Sequence, residues 1–481
     1  MAFVRFVVYL WRTSAELCQS MTIAGLSGLA TRLRRTPLRQ WPTMELGVGE
    51  AATVWMGAFL ASAVLGIVRQ VLLNARFGLG PEAAAYYAAF RLPETVTMLI
   101  AGGTLTNALI PVLLRAEREG GGAQAAARLV NLTLTALLGM VAPLCALAAI
   151  AAPAFVAHVL APGFDPATQA LTVALTRIML LEVLLVIAEG ALVALLVSRN
   201  MLLLPALAVA LRNLTLIGGL LVAFAVPQVG IYGPTVGAVL DALIMLAVLV
   251  PGLRQRGYAP RLEWAPRDPL LLATARLLWP STVSGLTNYA SGIIDTAFAS
   301  LSGVVTALGA LVNAWLLIGL PIRLLGIAIG QALLPEAAAL GLRGEQGELR
   351  RVLTRALLRA CGLAVLAAVA LILLGRPLIA LLFERGAFDA AAGDLTYRLL
   401  AIYAGGLPAY VATEIATRAL LARNDARTPM LTNLGQLAMR AALCATLIGP
   451  LGPAAIPAAF ALSSAAEALA LLAVLHLRAA R

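Results

Sequence analysis

Lysine is absent from this sequence; all 35 basic side chains are arginine. Histidine occurs only at His158 and His476, too far apart to read as one metal site. The four cysteines, Cys18, Cys145, Cys361 and Cys444, are scattered, mostly through apolar runs. That is neither a disulfide framework nor a zinc spacing. No metal and no cofactor is expected. A Walker-type loop is also missing, so the chain carries no ATPase of its own. Gly102-Gly103 and Gly120-Gly121-Gly122 read as a helix break and a loop, not phosphate cradles. Charge itself is scarce: 12% of residues, against about 25% in soluble proteins.

What is present is apolar surface, 61% of 481 residues. No soluble core hides that much, so the solvent for most of the chain is lipid. A crossing needs roughly 20 apolar residues. Spans are expected near 51–73, 83–114, 128–157, 171–197, 202–226, 229–251, 270–299, 304–338, 352–375, 395–421, 428–449 and 454–477. The second and eighth are long and interrupted by Pro93, Gly102, Gly103 and Pro111, and by Pro321, Gly326, Gly330 and Pro335. Such breaks are tolerated where a helix lines a cavity. The fold class is therefore an all-α membrane protein of about twelve transmembrane helices.

The net charge of +12 does not point to nucleic acid, because the arginines sit between hydrophobic runs, where topology is decided. They cluster after the second, fourth, sixth, eighth and tenth spans and at the chain end. The opposite loops near 158–168, 227–229, 300–303 and 450–453 have none; only 376–394 is mixed. Positive residues stay in the cytoplasm. Both termini are expected inside, with residues 1–48 a cytoplasmic extension that shows no small-residue cleavage site.

The sequence also repeats at an offset of 224 residues. Gly163-Phe164-Asp165 matches Ala387-Phe388-Asp389, and Ser198-Arg199-Asn200 matches Ala422-Arg423-Asn424. Pro205 matches Pro429, and Ile110-Pro111 matches Leu334-Pro335. The organisation expected is a first six-helix bundle at 49–256, a cytoplasmic linker at 257–269 and a second bundle at 270–481. Six helices per half give a parallel repeat, the arrangement of two bundles that rock about a site between them.

Helices 1 and 2 are the most specific stretch. Ser62-Ala63-Val64-Leu65-Gly66-Ile67-Val68-Arg69 leads to Ala75-Arg76-Phe77-Gly78, then Ala88-Ala89-Phe90-Arg91-Leu92-Pro93. Further on come Ala328-Ile329-Gly330-Gln331-Ala332-Leu333-Leu334-Pro335 and Arg423-Asn424-Asp425-Ala426-Arg427-Thr428-Pro429. Over roughly residues 50–477 the chain resembles the MurJ/MviN family of lipid II flippases, within the superfamily of polysaccharide flippases and multidrug exporters. The resemblance implies a bundle with a central cationic cavity in the bacterial inner membrane. It implies an undecaprenyl-pyrophosphate-linked cargo moved outward for cell-wall synthesis, with cell-wall synthesis proteins as partners. It does not imply an enzyme. A membrane glycosyltransferase would need a large outer loop, and the outer loops here are short. A related exporter of another amphipathic substrate, or a transport-dead scaffold, are the alternatives.

Several cavity arginines of the family are replaced, by Ala63, Thr97, Met98 and Leu316, and this chain ends after the twelfth span where the family usually continues through two more. The candidates for pyrophosphate contact are Arg69, Arg91 and Arg323, since a guanidinium fork grips phosphate bidentately. An arginine in the bilayer costs roughly 2.5–3.5 kcal/mol, so each should meet water, an anion or a carboxylate; near a span end, snorkelling is the other outcome. Glu182 and Glu189 share a face of helix 4 and read as a proton relay or as partners of Arg177 or Arg212. Glu414 and Arg418 are spaced to pair with each other. Asp295 falls where some family members use an acid for a cation. The family's oxygen ligands on helix 11 are replaced near Arg440 and Cys444, so Arg440 is a candidate tethered cation for Asp295.

Overall fold

A computed structural model of the chain describes Pro37, Trp41 and residues 44–101, 105–118, 122–255, 257–343, 345–423 and 425–479. Gly102-Gly103, Gly120-Gly121, Asn424 and nearly all of the 1–48 extension lie outside the described residues. Those described form helices and no strand. In chain order the α-helices are α1 (Val48–Phe77), α2 (Pro81–Ala89), α3 (Arg91–Ala101), α4 (Leu105–Ala116), α5 (Gly122–Phe155) and α6 (Pro166–Ser198). There follow α7 (Leu203–Leu211), α8 (Leu214–Ala225), α9 (Tyr232–Gln255), α10 (Pro269–Leu301) and α11 (Ala307–Pro321). The last five are α12 (Ile329–Leu342), α13 (Gln346–Phe383), α14 (Ala390–Ala422), α15 (Arg427–Leu451) and α16 (Ala455–Ala479).

Each expected span falls on helical segments. Among the described residues nine stretches are long and apolar enough to cross a membrane, one of them running through both α15 and α16. The second expected span is broken into α2, α3 and α4 and does not qualify as one continuous crossing. The eighth is interrupted at Pro321 by a π-helical stretch, Ile322–Ala328. Proline lacks the N–H a continuous helix needs, and the wider turn absorbs the fault. The expected outer loop at 376–394 is shorter than read from sequence: α13 runs to Phe383 and α14 starts at Ala390. Arg376 made that stretch look like loop. Within the helix its charge is met by Glu384 at 2.6 Å and Asp394 at 2.7 Å.

The repeat-matched aspartates are helix starts. Asp165 accepts from the Thr168 N–H and hydroxyl at the head of α6, which holds its carboxyl below the usual carboxylate range. Asp389 accepts from the Ala392 N–H at the head of α14. Asp425 does for α15 what Asp165 does for α6, through Thr428. A carboxylate at this position satisfies N–H groups that the helix cannot.

The chain forms two compact units. The first takes in the described residues up to Gln70, then Val96–Ala148 and Ile178–Val283. Within it α8 and α9 approach closely through Gly219, Gly233 and Gly237; a Cβ on Gly219 would strike the Gly233 carbonyl. Small residues at such crossings are how helices pack in lipid. The linker after α9 is pinned to α5. Tyr258 donates to Asn131 Oδ1 at 2.8 Å, the Arg261 N–H to the same oxygen at 3.2 Å, and Asn131 Nδ2 to Glu263 Oε1 at 3.0 Å. Burial, with Glu263 nearby, pushes the Tyr258 phenol above its ordinary range. Asn131→Leu leaves these groups unpaired at a cost of about 1–3 kcal/mol. Tryptic cleavage at Arg261 and Arg267 is expected to accelerate roughly 5- to 150-fold; an unchanged digestion rate would show that the linker is held by something else.

The second unit comprises Val71–Thr95, Ala149–Arg177 and the described residues from Ser284 onward. Gly78 and Gly386 both adopt left-handed backbone, at φ 57° and 59°. Each presses on a carbonyl of the other strand of chain, Ala387 and Ala75 respectively, and the Ala387 N–H donates to Ala75 O at 2.8 Å. Neither position has room for a side chain. Nearby, Asn74 and Asn313 exchange amide hydrogen bonds of 2.9 and 3.2 Å with both residues fully buried. Trp315, Tyr403, Tyr410 and Phe460 form an aromatic cluster that ties α11, α14 and α16 together.

Candidate functional site

In the first unit the buried charge gathers around Arg212, at the break between α7 and α8. Its guanidinium lies 3.8 Å from Glu189 on α6 and 3.8 Å from Asp241 on α9. Thr215 donates its hydroxyl to Asp241 at 3.0 Å. Arg69, half-buried on α1, is within electrostatic reach of the same aspartate. Of the partners open to Glu189, the structure chooses Arg212. Arg177 instead donates to the Ala149 carbonyl at 3.1 Å. Separations of 3.8 Å are long for charge-assisted hydrogen bonds, so Arg212 balances the acids without locking onto either. Arg69 makes no hydrogen bond or ion pair with a described residue, so its donors remain free for an anion.

In the second unit Arg440 on α15 meets Asp295 on α10 at 2.5 Å. The guanidinium sits 5.2 Å above the Phe460 ring, and Arg440 is only 4% exposed. Asp295 Oδ1 and Arg440 Nε have no hydrogen-bond partner, so the two charges rely on each other. Arg91, at the head of α3, lies beside the pair and acts on Asp295 electrostatically. Its Nε donates to Thr296 Oγ1 and its Nη1 pairs with Glu94, each at 3.2 Å. Gly292 lies against this guanidinium, where a Cβ would crowd Nη1. Part of the Arg91 fork is therefore already used.

Arg323 stands differently. It is exposed on the π-helical stretch, near the exposed Leu320 and Leu324, and makes no ion pair among the described residues. The same stretch packs inward through Gly326 against Glu414, while Gly330 meets Arg418. Glu414 and Arg418 pair with each other at 3.5 Å. Of the positions where the resemblance led us to expect arginine, Ala63 and Leu316 lie on exposed faces of α1 and α11, and Thr97 is half-buried.

Sequence reasoning missed Thr215, Thr296, Phe460 and the Asn74–Asn313 pair. The signal for the last was available, since a side-chain amide inside an apolar run requires a partner. Thr296 and Phe460 carry no such signal. Among the described residues no three His, Cys, Asp or Glu side chains gather as a metal site would need.

The model of the lipid II flippase MurJ family matches residues 73–480. A probable lipid II flippase MurJ of Rhizobium tropici is 30% identical over 427 residues, covering 88% of this chain and 80% of that protein. The lipid II flippase MurJ of Burkholderia cenocepacia is 29% identical over 387 residues, covering 79% and 74%. Among solved structures, a lipid II flippase MurJ in an inward closed conformation superposes with a TM-score of 0.73 at 20% identity, covering 88% of this chain and 87% of the other. A multidrug resistance MATE transporter in an inward-facing conformation gives 0.70 at 14% identity, covering 89% and 98%. At these identities the two structures speak for the fold alone.

Proposed function

Because this chain belongs to the lipid II flippase MurJ family, we propose that it moves lipid II, a lipid-linked peptidoglycan precursor, across the bacterial inner membrane by alternating access. The observation that carries this reading is the family match across residues 73–480. Membership implies transport rather than catalysis, and the apolar helices imply a multi-pass membrane protein. The cargo presents an undecaprenyl pyrophosphate. Arg69, Arg91 and Arg323 are the side chains we assign to it, Arg69 first because its donors are not spent on any described residue. We assign the rocking to the halves at 49–256 and 270–481, on either side of the 257–269 linker, although Val71–Thr95 and Ala149–Arg177 of the first half belong to the second compact unit. A related exporter of another lipid-linked or amphipathic substrate is the second reading, favoured by Ala63, Thr97, Met98 and Leu316 in place of arginines.

Depletion of the protein separates the two. Lipid II is expected to accumulate on the cytoplasmic leaflet; accumulation of a different lipid-linked intermediate would overturn the cargo. Twelve crossings with both termini cytoplasmic belong to the same proposal. Reporter fusions at residues 303 and 344 should then fall on opposite sides of the membrane, and a shared side would sink that count.

A further inference from the structure

Two segments of the first half, Val71–Thr95 and Ala149–Arg177, are packed into the second compact unit. Each carries one side of a close contact with the second half. At the first contact, the turn before α14 meets the end of α1. The Ala387 N–H donates to Ala75 O at 2.8 Å, and Cβ atoms on Gly78 and Gly386 would strike the Ala387 and Ala75 carbonyls. At the second, the turn before α6 meets the end of α10. The Gly163 N–H donates to Ser300 Oγ at 3.2 Å, and a Cβ on Gly163 would strike the Ser300 carbonyl. We propose that these contacts are repeat-related parts of one latch, which closes the outer side of the resting protein and parts at both places together.

The repeat pairs the two contacts. At its offset of 224 residues, Gly163 corresponds to Ala387, and Arg76, between Ala75 and Gly78, corresponds to Ser300. Each half therefore lends the turn between its third and fourth expected spans to the end of the other half's first span. Both turns fall among the expected outer loops. The crossing has a mechanical consequence. A half that moves as a body carries its turn and its gripped helix end together, so it cannot leave one contact and keep the other. The inference rests on the rocking proposed for the two halves.

The chemistry suits a closure that must reopen. Glycine lets two stretches of backbone meet with no side chain between them. The links named are single hydrogen bonds, modest in net strength because water replaces them on opening. Asn74, next to Ala75, exchanges amide hydrogen bonds with Asn313, and both are fully buried. Parting that pair in a dry core would strand both amides, whereas parting it into water would not. An amide pair beside the first contact therefore fits an interface that opens to solvent.

The test is double electron–electron resonance on the full-length chain in lipid nanodiscs, with its four native cysteines replaced by alanine. Spin labels at the exposed positions Glu82 and Ala391 report the first contact, and labels at the exposed positions Ala167 and Val304 report the second. Gly163→Ala drives a Cβ against the Ser300 carbonyl and acts only at the second contact. A longer distance is nevertheless expected at both label pairs, with the open fraction rising by the same factor. Ser300→Ala is the milder arm and serves if Gly163→Ala does not fold. It removes one hydrogen bond and should raise the open fraction about 2- to 10-fold at both pairs. Lengthening at Ala167 and Val304 alone, or no lengthening at either pair, would overturn the latch. These arms need no cargo. Lipid II added to the wild type should lengthen both pairs; if it moves neither while the variants move both, the cargo reading fails and the latch stands.

Discussion

Arg440→Leu is expected to unfold the second unit or bring it close to unfolding. Arg440 is 4% exposed and its charge is met by Asp295 at 2.5 Å. Removing one partner of a buried pair typically costs about 3–5 kcal/mol, because the other charge is left in a low dielectric with nothing to offset it. Here the penalty falls at the high end of that range. Asp295 Oδ1 already lacks a hydrogen bond, so the stranded carboxylate has no second partner in reserve. Arg91 is too committed to Thr296 and Glu94 to take over. Asp295→Asn should cost less than Arg440→Leu, since Phe460 still offers its ring face to the guanidinium.

The double replacement Asp295→Leu with Arg440→Met should recover most of the loss, as buried pairs exchanged for apolar groups of similar volume often do. Thermal midpoints in detergent of the wild type, Asp295→Leu, Arg440→Met and the double replacement give the coupling directly. Additive losses would show that the two side chains do not depend on each other. A further arm asks whether the guanidinium acts as a built-in cation. Sodium, compared with choline, should raise the midpoint of Arg440→Ala and leave the wild type unmoved. Equal responses would remove that role.

The helices were legible in the sequence because lipid imposes a simple rule: a long apolar run must satisfy its own backbone. Hence the helical segments at the expected spans, and the breaks beside Pro93 in the second and Pro321 in the eighth; Pro111 and Pro335, expected to interrupt as well, lie inside continuous helices. The rule misled at Arg376, where a charge was read as a loop. Two carboxylates beyond the helix end made it affordable inside. Pairing across the chain was harder to read. Asp295 and Arg440 are 145 residues apart, and Asn74 and Asn313 are 239 apart. Their types announced a need for partners, while the identity of each partner depends on how helices stack. The resemblance narrowed the choice at Asp295. Nothing comparable existed for Thr296 or Phe460, which look like ordinary lining of a helix until a guanidinium is placed against them.

Arg69→Ala is expected to abolish or nearly abolish transport while leaving the protein inserted and folded. The reason lies in how little of Arg69 the protein uses. Its guanidinium makes no hydrogen bond or ion pair with a described residue, and Arg212 already sits between Glu189 and Asp241. Losing Arg69 therefore strands no acid, and the stability should change by less than about 1 kcal/mol. A pyrophosphate held by a charged fork would lose about 1.5–3 kcal/mol per hydrogen bond, so transport should fall roughly 10- to 100-fold or more. Arg69→Lys separates charge from geometry. An ammonium keeps the charge but not the two parallel donors, so rescue should be partial. Full rescue by lysine would reduce the role to net charge. Arg212→Gln is the control: it strands Glu189 and Asp241 together and should lower stability as well as transport. Stable expression of Arg69→Ala with wild-type flipping would remove this residue from cargo binding and leave Arg91 and Arg323 as the remaining candidates.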